Sequence, residues 1–224
     1  SIAKTETSPK ENILSLALVT SYRLTELVKA SAKFGLYKEN FGQRQTKATN
    51  GTITFAFKGF NLNESFSTTH NVAAIVPLAE ETVKRDRLRT GLSLSNGLKY
   101  QSDYITLGYT ILLGQNFHEY TFNADGTANI KNRLNQSIDI TVPIVENLSL
   151  TTAGIYRMGW TYGGFNRYSF SFDADINYDF TKNLSVNLGT SNKGPALKAN
   201  GTDSNISLYD EDTSVFRMGV SYVY

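Results

Sequence analysis

Residues Thr213 to Tyr224 alternate without a break, and this pattern constrains the chain more than any other. Successive side chains of a strand point to opposite faces, so Ser214, Phe216, Met218, Val220, Tyr222 and Tyr224 share one face. Val215, Arg217, Gly219, Ser221 and Val223 share the other. The first face is apolar and ends in aromatics; the second carries an arginine, a glycine and a serine, which suit water better than a dry core. Soluble sandwiches also alternate, with polar residues facing bulk solvent, so this strand alone leaves the outside of the molecule open.

The period recurs from end to end. Leu14 to Tyr22 and Val28 to Leu36 alternate around the connection Arg23 to Glu26, and Ile53, Phe55 and Phe57 follow the polar stretch Asn40 to Asn50. Phe66 to Val76 is weaker; Leu88 to Leu94 and Ile105 to Leu113 come next. Leu134 to Ile144, Leu148 to Trp160, Tyr168 to Phe180 and Leu184 to Leu188 are cleaner. Tight turns at Glu146-Asn147 and Thr181 to Asn183 contrast with long polar stretches at Phe117 to Ala128 and Asn192 to Asp212. Phe117 to Phe122 and Thr127 to Asn132 could form a further hairpin around Asn123 to Gly126.

The 224 residues fit one domain, because all-β barrels commonly reach this size undivided. A net charge of +2 gives no reason to expect nucleic acid as a partner. The absence of cysteine excludes a disulfide scaffold and thiolate-bound metals. No run approaches the roughly eighteen apolar residues of a membrane helix. A membrane strand, however, needs only about ten residues with every second one apolar, and a mean hydropathy of -0.28 is compatible with that. Thirteen Tyr and thirteen Phe are enough for aromatic girdles at two headgroup levels.

A last strand that stops on an aromatic, with this strand rhythm before it, resembles the C-terminal signature of bacterial outer-membrane β-barrels, in which that strand closes the barrel and is read by the assembly machinery. The resemblance is to a superfamily, in particular to small monomeric porin-like channels. It implies an all-β fold: a transmembrane antiparallel up-and-down β-barrel of about twelve strands, with ten as the fallback. Residues 11–224 would form this single domain, and residues 1–10 an N-terminal extension or a first partial strand. It also implies an outer-membrane location with the signal peptide removed, contact with membrane lipid and lipopolysaccharide, and a monomer without a cofactor. The chain is too short for the sixteen or so strands of the large trimeric porins.

With the apolar stripe facing lipid, the complementary residues line the interior. Most are small, such as Ser15, Gly35, Gly91, Gly108, Thr110 and Ser171, and in a mid-sized barrel small polar linings favour a wet lumen. The basic residues of this face are Lys29, Lys33, Lys58, Arg87, Arg89, Arg133, Arg157 and Arg217; the acidic ones are Asp139, Asp173, Asp175 and Asp179. Three aspartates along one strand face need water or cations beside them, and Arg157 on the preceding strand is the expected partner. A basic wall opposite an acidic ladder sets a transverse field, and the excess of bases leans weakly towards anions. The expected function is passive diffusion of small hydrophilic solutes or ions. The alternative is a plugged or narrow scaffold whose external loops bind a partner or surface.

Catalytic motifs are lacking. His70 lies in the hydroxyl-rich Ser67 to Asn71 and His118 precedes Glu119, but neither falls in a nucleophile–base pattern. Asp210-Glu211-Asp212 with Asp203 lacks the spacing of a calcium loop and is expected to be a solvated acidic loop. No enzymatic role and no metal site are expected. A soluble barrel or sandwich with its apolar stripes turned inward is the third possibility.

Overall fold

The computed structural model describes residues 13–39, 45–198, 200–211 and 213–222. Expectations placed on residues 1–10, part of Asn40 to Asn50, Asp212, Val223 and Tyr224 lie outside the described residues. Twelve strands form one sheet: β1 (Ile13–Arg23), β2 (Val28–Glu39), β3 (Thr46–Ala48), β4 (Gly51–Phe57), β5 (Phe66–Val76), β6 (Leu88–Gln101), β7 (Thr106–His118), β8 (Ile130–Val145), β9 (Leu148–Thr161), β10 (Asn166–Asp179), β11 (Leu184–Pro195) and β12 (Val215–Tyr222). Each strand pairs antiparallel with its neighbour in sequence, and β3 and β4 follow one another along β2. The arrangement is up-and-down throughout. Among the described residues the one helical element is a short π-helical turn, Glu81–Arg85, so no helix is long enough to cross a membrane.

The patterned segments are strands for the reason the alternation suggests, and several run further than the apolar stripe. The weakly patterned Phe66–Val76 is a full strand of 11 residues. The candidate hairpin around Asn123 reduces to a single bridge between Phe122 and Ala128, because the Asn123 side chain closes a turn by accepting from Asp125 N and Thr127 N. At the end where β1 meets β2, four of the five connections share one device. A hydroxyl or amide oxygen accepts the backbone N–H groups two and three residues on: Thr25 from Leu27 and Val28, Asn63 from Ser65 and Phe66, Ser102 from Tyr104 and Ile105, and Thr181 from Asn183 and Leu184. Residues 77–87, 119–129 and 196–214 make the long connections at the opposite end.

The exposure pattern settles which face is convex. Along β7 the even residues, Thr106 to His118, are partly covered, while Leu107, Tyr109, Ile111, Leu113, Gln115 and Phe117 are exposed. Leu113, Ile138 and Leu188 keep 54%, 54% and 56% of their surface open, whereas the buried hydrophobic residues among those described are only Leu88, Phe170 and Ala196. A water-soluble chain of this size would bury far more, so the inward-stripe possibility does not hold for this fold. The apolar rows face outward. The Tyr109 hydroxyl on that surface is satisfied locally, as a hydrocarbon environment favours, donating to Gln136 Oε1 at 3.0 Å.

Candidate functional site

The inward face of β8, β9, β10 and β12 gathers most of the charge. Strand register sets it in rows counted from the long-connection end. Gly114, Arg133, Gly159 and Arg167 form one row; Leu112, Asn135, Arg157 and Ser169 form the next. Two rows further in stand Gly108, Asp139, Ala153, Asp173 and Ser191, followed by Thr106, Thr141, Thr151, Asp175, Gly189 and Arg217. Arginines therefore crowd the outer part of this wall and aspartates the inner part.

Two glycines make room for these side chains. A Cβ at residue 114 would lie 2.6 Å from Arg133 Nε, so the Arg133 stem crosses its neighbouring strand over bare backbone. Gly189 does the same for Asp175, whose carboxylate occupies the space of the missing Cβ and so reaches β12. There Arg217 donates from Nη1 to Asp173 Oδ1 at 2.6 Å, from Nε to Asp175 Oδ1 at 3.0 Å, and from Nη2 to Asp175 Oδ2. This corrects the expected pairing. Arg157 donates instead to the Ser171 hydroxyl at 3.0 Å, and the two aspartates take their cation from two strands away.

The remaining sequence candidates are more scattered. Lys29 and Lys33 share the inward row of β2, opposite Arg23 and Val19. Lys58 stands just past β4 at the short-turn end, its backbone N–H bound to Leu27 O. Asp179 ends β10 at the same rim, its N–H bound to Asn147 O. Arg87 and Arg89 sit at the opposite rim rather than along the bore. Arg87 precedes β6 with φ 53°, and Arg89 lies at the β6 bulge, where it pairs with Glu119 at 2.8 Å. Sequence reasoning missed Arg167, Lys193 and Lys99, which share the inward rows of β10, β11 and β6. All three lie beyond the apolar stripe that marked their strands, and extending the alternation by a few residues would have found them.

The histidines are placed apart. His70 faces outward, held by the Thr68 hydroxyl at 2.9 Å and Asn96 Oδ1 at 2.8 Å. His118 is on the inward row of β7 near the long connections, edge-on to the Tyr162 ring at 5.8 Å. Tyr162 ties its loop to β7, donating to Asn116 O at 2.9 Å and accepting from His118 N. Asn129 adds two more ties at that rim, donating to Asp86 O and Tyr120 O. No group of three His, Asp or Glu able to hold a metal occurs among the described residues.

One up-and-down antiparallel sheet of twelve strands, apolar on one face and charged on the other, has the strand organisation of a transmembrane β-barrel. Solved structures share this fold. The chain matches the KdgM porin in complex with disordered oligogalacturonate at a TM-score of 0.60 and 9% identity, covering 96% of both chains. It matches the NanC porin at 0.61 and 10%, covering 95% and 94%. An outer-membrane channel from Pseudomonas putida F1 matches at 0.63 and 14%, covering 95% of this chain and 82% of that one. No protein-family model matches the sequence, and no curated protein matches it either.

Proposed function

We propose that the protein is a passive outer-membrane channel for small hydrophilic solutes or ions, with a weak preference for anions. The observation that carries this reading is the row order on the β8–β10 wall. Arg133, Arg157 and Arg167 occupy adjacent rows, and no carboxylate among the described residues is within ion-pair distance of them, Asp173 acting on Arg157 only from further off, whereas Asp173 and Asp175 are already neutralised in part by Arg217. Uncompensated bases therefore meet a solute first from the long-connection side. By the habit of outer-membrane barrels, that side faces outward and the short turns face the periplasm.

The porin-like fold supports the same reading, and one of its neighbours was captured with an acidic oligosaccharide. A solute would keep most of its water, because the lining is small and polar, and would pass down its gradient. The reading assigns no catalytic step: His70 is engaged on the lipid side, and His118 contacts Tyr162. The channel works as a monomer in contact with lipid and lipopolysaccharide.

Planar-bilayer recording tests it. Discrete current steps with a reversal potential displaced towards chloride in a potassium chloride gradient are expected, and Arg133→Gln with Arg157→Gln should move that potential towards potassium. Silence from folded protein would favour the plugged scaffold. Cation preference in the unmodified protein would overturn the anionic bias.

A further inference from the structure

Buried side-chain atoms without a hydrogen-bond partner are uncommon in folded proteins, and each one calls for an explanation. Among the described residues they are Asn116 Oδ1, His118 Nδ1, Arg133 Nε, Asn135 Oδ1 and Thr190 Oγ1. All but the last lie on the inward faces of two adjacent strands, β7 and β8, at their long-connection ends. A cavity of about 460 Å³ brings Asn116, Arg133 and Asn135 together with Arg157 and Arg167.

The unmet groups are of two kinds. Arg133 Nε is a donor and, with the guanidiniums of Arg157 and Arg167, asks for an oxyanion. Asn116 Oδ1 and Asn135 Oδ1 are acceptors and ask for a donor. The Asn116 amide is fixed in this sense, because its Nδ2 is already used on Ile130 O at 3.1 Å. Chloride or a bare carboxylate would satisfy the arginines and leave both amide oxygens unpaired. We infer that this wall is a binding subsite for a hydroxylated carboxylate: its carboxylate is held by Arg133, Arg157 and Arg167, and its hydroxyls donate to Asn116 and Asn135. The inference deepens the channel reading and rests on it for its physiological meaning, since the occupant would be a permeating solute. Hydroxyl recognition would add a selectivity that charge alone does not give, because a site built around polar partners rejects an analogue that leaves them unpaired.

The test compares D-glycerate with propionate, which have the same charge and the same carbon skeleton and differ in two hydroxyls. Each is titrated calorimetrically against detergent-folded protein and, separately, added to chloride-carrying channels in a bilayer. Glycerate should bind, and should half-block, at about tenfold lower concentration than propionate, the effect of two neutral hydrogen bonds. Asn116→Leu with Asn135→Leu should abolish that difference. Arg133→Gln should weaken both acids. Equal binding of the two acids, no binding of either, or a preference that survives the double asparagine substitution would each overturn the subsite. Preferential binding of glycerate by a protein that passes no current would sustain the subsite and sink the channel reading instead.

Discussion

Replacing Arg217 by Gln should destabilise the barrel by about 2–4 kcal/mol, and the structure provides the parts of that figure. Arg217 donates to both Asp173 and Asp175, and charge-assisted hydrogen bonds of this kind contribute about 1.5–3 kcal/mol. The site is partly open, with side-chain exposures of 39% for Arg217, 29% for Asp173 and 15% for Asp175, so screening keeps the loss near the lower part of that range. A second contribution comes from the carboxylates left behind. Residues two apart on one strand face are roughly 7 Å from each other. Two negative charges at that spacing repel by about 0.6 kcal/mol in bulk water and about 2.4 kcal/mol at an effective dielectric of 20. The assay is urea unfolding of the barrel in lipid vesicles, followed by the loss of its heat-modifiable gel migration. Adding Asp173→Asn and Asp175→Asn to Arg217→Gln should recover the repulsive part. Arg217→Lys should fall between wild type and Gln, since an ammonium cannot reproduce the fork that spans both carboxylates. A Gln variant within about 0.5 kcal/mol of wild type, or a triple variant no more stable than the single one, would refute this account of how β10 and β12 are held.

Trp160 is the only tryptophan and lies on the outward face of β9 in the rim row of Asn132 and Asn166, so bromine near the headgroup end of the acyl chains should quench its emission more than bromine near their tips; unquenched, water-like emission would place that face elsewhere. Tyr162→Phe removes one bond donated to Asn116 O and one accepted from His118 N, and should speed amide exchange at residues 162–165 by roughly tenfold, with a much smaller effect on the short turns. The Lys84 ammonium, bound at 2.6 Å, holds the Glu80 carboxyl below its ordinary value. An acid depressed in the fold contributes stability above its unfolded value and loses it as the pH falls through the folded one. Amide protection around Glu81–Arg85 should therefore weaken only in moderately acidic solution, and Lys84→Met should remove that pH dependence.

The sequence carried the period of two and so the faces, because the alternation acts within each strand and needs no knowledge of its neighbours. Leu113 and Gly114, or Phe216 and Arg217, could be assigned to opposite sides before any pairing was known. The charge pairing was not legible in the same way, since it depends on register and on reach across a strand. Asp175 sits beside Thr151 on one side and Gly189 on the other, and neither sequence position announces that a carboxylate can lie flat over the glycine to meet Arg217. Arg157 was the nearer base by chain order, yet Ser171 stands diagonally across from it and accepts its hydrogen bond. The outer rows failed for another reason. Near a rim the outward residues turn polar, as at Gln115, Asn132 and Asn166, so the apolar stripe stops while the strand continues. Arg167 and Lys193 follow from reading past that point. The polar rim and the row of Arg133 and Arg167 thus lie side by side at the same ends of β7 to β10, where the apolar stripe stops and charged side chains no longer have to be kept from hydrocarbon.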